Sequence, residues 1–376
     1  MELQYNTACR ILVPGDEGGA MRARYGYAFV LYVLAAGCND DTTSPRAPVT
    51  RSLTSVGSFT EGGVRGALSL EAEVSDRDVI GELVITRVPD LGAPEYLFVR
   101  GTLDDSLHLE LDTSRIAYQY TFTLDAAADT SFNLSGNISY PVAGLLTPFT
   151  AHAIDERAVN VQLSYVVPTY VRSMVWDGSR LWLSTLSDEF LRFNEQGVFQ
   201  DQVIVYYSSG IRWTSGALTF DGTHLLGFLP TTIIGPGGSI NGSAMFEFDE
   251  TGILRRYELP HRTSGLAYDG ADYWSLDWAA RRLVQFDGSG ALLDSVAVEV
   301  PDPYHLEFDG QHFWTMSWYT LRLYELGTDG HAIAVFDVPH SSSGQVQTAI
   351  AVEGNDIWYS EQIALEQTRV YRLQPE

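Results

Sequence analysis

The sequence predicts an all-β chain in two parts: an N-terminal antiparallel β-barrel or sandwich, then a β-propeller of five blades, alternatively six. Three observations carry this prediction. Residues 53–156 consist of strand-length runs in which apolar and polar residues alternate, with no helical period between them. From residue 157 to 376 a phrase of the form x-Asp-Gly-x-x-x-Trp recurs with small variations. Its recurrences are spaced like repeats of four strands each.

The first 52 residues precede any strand. Residues 1–20 carry Glu2, Asp16 and Glu17 ahead of Arg22 and Arg24, an order unsuited to an export signal. Translation is therefore expected to start at Met21, which would leave Cys9 out of the protein. Within residues 21–37 the basic stretch leads into an apolar run, 25–36, shorter than the about 20 residues that span a bilayer. The ending Ala35-Ala36-Gly37-Cys38 resembles the lipobox of bacterial lipoproteins, with Ala35 standing where Leu is commoner. That resemblance implies cleavage before Cys38, a lipid on its thiol, and an exported protein held to a membrane of the bacterial cell envelope, on its periplasmic or outer-surface side. One cysteine then remains, and neither a disulfide nor a cysteine metal site is expected. Residues 38–52 are polar and proline-bearing and read as a flexible tether.

In residues 53–156 the runs GALSLEAEV, DVIGELVITRV, YLFVRGTL, SLHLELD, AYQYTFTL and SFNLSGNISY are separated by Gly, Pro and Asp clusters. Alternation means one buried and one wet face, as in an antiparallel meander that closes on itself. His108 and His152 stand isolated here and read as structural.

The repeated phrase is WDGSRLW, FDGTHLLG, YDGADYW, FDGQHFW and VEGNDIW. Its glycines, Gly178, Gly222, Gly270, Gly310 and Gly354, lie 44, 48, 40 and 44 residues apart. A second turn signal follows the first four, at Gly197, Gly252, Gly290 and Gly330. Asp-Gly favours a tight turn because both residues tolerate positive φ, and the following Trp is expected to pack between blades. The last unit holds three strands, so residues 158–168, AVNVQLSYVVP, are expected to supply its fourth and pair near residues 369–373.

Composition excludes some functions. The formal charge of −25 argues against a nucleic-acid partner, which needs a cationic footprint. All 23 basic residues are arginine, so Schiff-base chemistry is excluded. No GxSxG elbow, HExxH helix or P-loop occurs, the histidines show no ligand spacing, and the turn aspartates read as structural. No cofactor and no metal are expected.

The repeat resembles the bacterial propellers built from DG-x-x-LW blades and, more distantly, the five-bladed glutaminyl cyclases. The segments Thr214-Ser215-Gly216 and Thr263-Ser264-Gly265 lack the Gln of the cyclases' TQGL-like motif. In propellers of this strand order, ligands use the face bearing the loops before each first strand and between second and third strands. That face gathers Arg172, Trp213, Tyr304, His305, Asp277, Trp278, Trp318, Tyr319, Glu361 and Gln362. Arg172, Asp277, Trp278, His305, Trp318, Tyr319 and Glu361 are the ligand-binding candidates, a set suited to a protein loop, a peptide or a glycan. The insertion 229–243 in the second blade reads as a flap or interaction loop on the same face. The function expected is that of a lipid-anchored binding or interaction platform. The alternative is a propeller enzyme, a glutaminyl cyclotransferase-like protein or a hydrolase such as a lactonase, acting at the channel mouth.

Overall fold

The computed structural model describes residues 50–61, 64–75, 77–88, 95–104, 108–114, 123–128, 133–140, 145–208, 211–213, 215–235, 238–259, 261–278, 280–317, 320–340 and 347–376. Cys38 and residues 21–49 of the segments expected to export and tether the chain lie outside the described residues; Thr50, Arg51 and Ser52, expected to end the tether, instead open the first strand, paired with Ser75, Val74 and Glu73. Every regular element among the described residues is a β-strand.

Eight strands close a barrel in chain order: β1 (Thr50–Glu61), β2 (Val64–Ser75), β3 (Asp78–Val88), β4 (Glu95–Leu103), β5 (His108–Ser114), β6 (Thr123–Ala128), β7 (Leu134–Tyr140) and β8 (Leu145–Ala153). Each is antiparallel to its neighbour, and β8 returns to β1 with Val56 opposite His152. Alternation sets the inside: Leu68, Leu70, Ala72 and Val74 of β2 enter the core with Leu83, Ile85, Val99 and Phe149, while Glu73 points out. Closure needs tight coiling, and a Cβ on Gly57 would run into the carbonyl of Thr150. The barrel thereby has no free edge.

Two strands lead onward, β9 (Asp155–Arg157) and β10 (Val159–Val167). The first four-stranded sheet is β11 (Val171–Trp176), β12 (Leu181–Thr185), β13 (Phe190–Phe193) and β14 (Phe199–Val203). A hairpin, β15 (Val205–Ser208) and β16 (Ile211–Trp213), connects it to the second sheet: β17 (Leu218–Phe220), β18 (Leu225–Gly235), β19 (Gly238–Asp249) and β20 (Gly252–Leu259). The third is β21 (Thr263–Tyr268), β22 (Tyr273–Asp277), β23 (Arg282–Phe286) and β24 (Leu292–Ala297). The fourth is β25 (Pro303–Phe308), β26 (Phe313–Ser317), β27 (Leu323–Leu326) and β28 (Ala332–Phe336). The fifth is β29 (Gln347–Glu353), β30 (Asp356–Ala364) and β31 (Gln367–Pro375), completed by β10.

These sheets form a propeller. Their first strands touch in a cycle, β11 to β17 to β21 to β25 to β29 and back to β11. One apolar cluster fills each gap between successive sheets, such as Val175, Trp182, Phe190 and Phe246 between the first and second. Met174, Leu181, Ala351 and Trp358 do the same between the first and fifth. Residues 159–167 pair antiparallel with 367–375, Tyr165 opposite Val370, so a strand preceding the ring seals it.

The repeated phrase has a mechanism beyond the turn. Asp177 Oδ1 accepts the backbone N–H groups of Ser179 and Arg180, and its Oδ2 accepts the indole N–H of Trp182 at 2.6 Å. The bonds recur from Trp274 to Asp269 and from Trp314 to Asp309, each 2.7 Å, and from Trp358 to Glu353 at 2.8 Å. The carboxylate therefore fixes turn and ring together, leaving the ring's apolar body to pack between blades. In the second sheet Leu226 takes the ring's place, and Asp221 accepts from the Tyr273 hydroxyl instead.

Two features depart from expectation. The insertion is a paired hairpin rather than a loop: β18 and β19 pair continuously out to Gly235 opposite Gly238, the Thr-Thr-Ile-Ile run prolonging the first of them. The barrel also reaches into the ring: β9 joins the fourth sheet beside β28 as a parallel fifth strand, Val335 opposite Glu156. Val56 and Ile154 sit in one buried cluster with Trp274, Leu283 and Tyr324 of the propeller. Alongside, Arg322 lies 3.2 Å from Glu71 of the barrel, 3.1 Å from Glu156 and 3.1 Å from Asp337. Burial opposes its charge, but the three carboxylates outweigh that and keep the guanidinium protonated.

Candidate functional site

Backbone strain separates the two faces of the propeller. The up-and-down order of each sheet puts its 1–2 and 3–4 turns on one face and its 2–3 loops and inter-sheet links on the other. Every positive-φ glycine among the described residues, from Gly178 to Gly354, lies in a 1–2 or 3–4 turn. Every positive-φ residue with a side chain, Asp188, Arg281, Asp302, His305 and Leu321, lies at the opposite face. Such conformations cost about 1 kcal/mol or more each and gather at sites whose geometry matters more than their stability. The strained face is the one that carries Arg172, Asp277, Trp278 and His305 of the ligand-binding candidates.

Arg172 is half-buried near the start of β11, beside Tyr170. Burial raises both the Tyr170 and the Tyr304 phenols, and the charge of Arg172 acts on both in the opposite direction. This brings the entrances of the first and fourth sheets into one electrostatic neighbourhood. His305 follows Tyr304 with its ring edge-on at 4.5 Å, at φ 61° and in a register break of β25. It is only 3% exposed, so it supports the mouth rather than lining it openly. A Cβ on Gly265 would collide with the backbone at His305 and Leu306, so β21 and β25 meet closely here.

The third sheet contributes a compact polar group. His261 Nε2 lies 2.6 Å from Ser275 Oγ, and Asp277, which ends β22, accepts the N–H of Ala280 at 3.1 Å. Burial lowers the His261 pKa against the opposing pull of Asp277, leaving a neutral imidazole at neutral pH. Trp278 is partly exposed, with the Arg262 guanidinium 5.5 Å over its ring.

Other expected members lie elsewhere. Glu361 is buried inside the fifth sheet, where its Oε1 accepts the Tyr371 hydroxyl at 2.7 Å. The reason is that β30 continues to Ala364, so Glu361 belongs to a strand rather than a loop. Gln362 donates to the carbonyl of Leu365. Trp213 packs in the core against Phe246 and Phe248. Trp318 and Tyr319 lie outside the described residues.

Two groups escape sequence reasoning. Glu307 on β25 occupies the place of Val175, Thr219, Ala267 and Ala351 in the other sheets. Burial raises its carboxyl well above the usual range. The broken repeat, a carboxylate where the others are small or apolar, is its signal. His152, by contrast, is not isolated: it meets Glu299 and His331 where the barrel abuts the propeller. No sequence signal joins them, because they come from β8, the link before β25 and the turn before β28.

No family profile and no curated protein matches this sequence. Among solved structures it is similar to a glutaminyl cyclase of Myxococcus xanthus, at 14% identity over 59% of this chain and 98% of that one, with a TM-score of 0.45. A streptogramin B lyase matches at 10% identity over 87% and 98%, TM-score 0.30. The WD40 β-propeller domain of Doa1 matches at 9% identity over 72% and 90%, TM-score 0.33.

Proposed function

We propose that this chain is an exported, lipid-anchored envelope protein whose propeller presents its strained face as a binding platform. The ligand class is a peptide or a glycan. The observation that carries the reading is the segregation of strain: relaxed glycine turns occupy one face, and the side-chain-bearing positive-φ residues occupy the face of Arg172, Asp277 and Trp278. Trp278 offers flat apolar area and Arg172 and Asp277 offer opposite charges, a mixture that orients an amphipathic ligand. The basic stretch, short apolar run and Cys38 supply the anchor. The test is titration of the protein with panels of short peptides and soluble oligosaccharides, followed by intrinsic tryptophan fluorescence. Trp278→Ala is expected to weaken binding at least tenfold while leaving the melting temperature within a few degrees. If no member of either panel binds, or if Trp278→Ala leaves affinity unchanged, the platform reading fails.

A second reading, catalysis at the same face, is favoured by one observation: the 2.6 Å contact of the neutral His261 with Ser275 Oγ beside Asp277. Hydroxyl, imidazole and carboxylate in that order are the parts of an acyl-transfer site. Ser275 is fully buried, so its use as a nucleophile requires opening of the third sheet's rim. Covalent labelling of Ser275 by a fluorophosphonate, abolished in His261→Ala, separates this reading from binding alone.

A further inference from the structure

We infer that His152, Glu299 and His331 form a site for one divalent transition-metal ion of the zinc class, clamping the barrel to the propeller. Their donor atoms all lie within 4.8 Å of one another. His152 Nδ1 is 3.2 Å and His331 Nδ1 is 3.0 Å from the same oxygen, Glu299 Oε2. A tetrahedral ion bound at about 2.05 Å holds its ligands about 3.3 Å apart, so both separations match edges of such a polyhedron.

The hydrogen bonding explains why a cation belongs there. His152 Nε2 donates to the carbonyl of Ala332 at 2.9 Å, which places the ring proton on that nitrogen. The other ring nitrogen, Nδ1, then faces the Glu299 carboxylate at 3.2 Å, an approach that only a proton or a metal ion between the two makes favourable. His331 arrives from the other side, its ring edge-on to His152 at 5.6 Å and 80°. Two imidazoles converging on one carboxylate oxygen are a ligand set, with nitrogen and oxygen donors that suit zinc, nickel or copper rather than calcium or magnesium.

The frame is fixed from both sides. His152 stands on β8 opposite Val56, which is fully buried against the propeller, and Val298 and Val300 bracket Glu299 in the same apolar cluster. Two histidines and one glutamate leave a fourth position, as in open rather than closed zinc sites. Beside it lies a cavity of about 320 Å³ lined by Ser58, Phe59, Arg281, Glu299, Asp329 and His331. Water or a small oxyanion has room to complete the coordination there.

The test uses the full chain freed of metal by chelation, then titrated with zinc in a calorimeter and with cobalt(II) in an absorption spectrometer. One ion per chain is expected, with a visible d–d band of tetrahedral intensity, and zinc is expected to raise the melting temperature. Glu299→Gln and His152→Ala should each reduce affinity at least tenfold. His331 is 61% exposed in its side chain, so His331→Ala keeps the test valid if the other two variants fold poorly. No binding, or binding unchanged in His331→Ala, overturns the inference. So does a melting temperature that responds to pH but not to zinc, since the cluster is then an ion pair only.

Discussion

The indole N–H of Trp314 donates to Asp309 Oδ2 at 2.7 Å, while the ring itself lies 5.2 Å from Phe336 in the gap between the fourth and fifth sheets. One residue thus reports the state of a turn to the packing between blades. Trp314→Phe keeps most of the apolar area but leaves the carboxylate short of a charge-assisted donor. A loss of about 1–3 kcal/mol is expected in denaturant unfolding. An unchanged midpoint would show that the bond merely accompanies packing.

Two carboxylates of the equivalent turns, Asp177 and Asp269, set acid sensitivity. Burial alone would raise the Asp177 and Asp269 carboxyls, but hydrogen bonds from Trp182 and Ser179, and from Asp272 and Trp274, outweigh it and hold both below the usual range. A depressed carboxylate contributes stability that is complete above its unfolded value near about 4 and is lost as pH falls through the folded value. Thermal unfolding below about pH 4 should therefore steepen in the parent protein and flatten in the Asp177→Asn, Asp269→Asn double variant.

Glu307 acts with the opposite sign. Its raised carboxyl means that the fold prefers the protonated form, so stability falls as pH rises from the unfolded value near about 4.3 through the folded one. Glu307→Gln keeps the shape without the charge, and each unit of raised pKa it removes is worth about 1.4 kcal/mol at high pH. A melting temperature above that of the parent at neutral pH, with the two converging near pH 4, is the expected result. Equal melting temperatures across that range would show that the carboxyl ionises freely in the fold.

Arg322 joins carboxylates from the barrel, the connecting segment and the fourth sheet. Arg322→Ala removes the guanidinium that lies among Glu71, Glu156 and Asp337, and a loss of about 3 kcal/mol is expected. Because the lost ties cross the junction, limited proteolysis near residues 154–158 should accelerate, and this separates a weakened junction from a weakened blade.

The ring was legible because its rule is local. Asp-Gly and a ring five residues on lie within a single hairpin, so each repeat writes its own geometry, and the spare strand at 158–168 was visible by its likeness to other outer strands. Residues whose place depends on distant chain were not legible. The parallel pairing of Val335 with Glu156 joins segments 179 residues apart and requires no pattern in either. Glu361 was misplaced because a strand ran two or three residues further than the repeat predicts, which turned a loop carboxylate into a buried one. His152 was misread for the same reason as β9: its partners come from the other half of the fold.

The seal between β10 and β31 gives the chain a direction in time. Thr169 and Thr368, hydrogen-bonded across that closure, are 199 residues apart. A chain emerging amino-end first, at about 5–20 residues per second, leaves β10 without its mate for about 10–40 s. During that interval its edge is open to any other strand, while the barrel is already complete and the first four sheets of the ring complete themselves in turn without the final strand. Loss of the final strand would therefore yield two unpaired edges, on β10 and on β30, rather than a shorter version of the same ring.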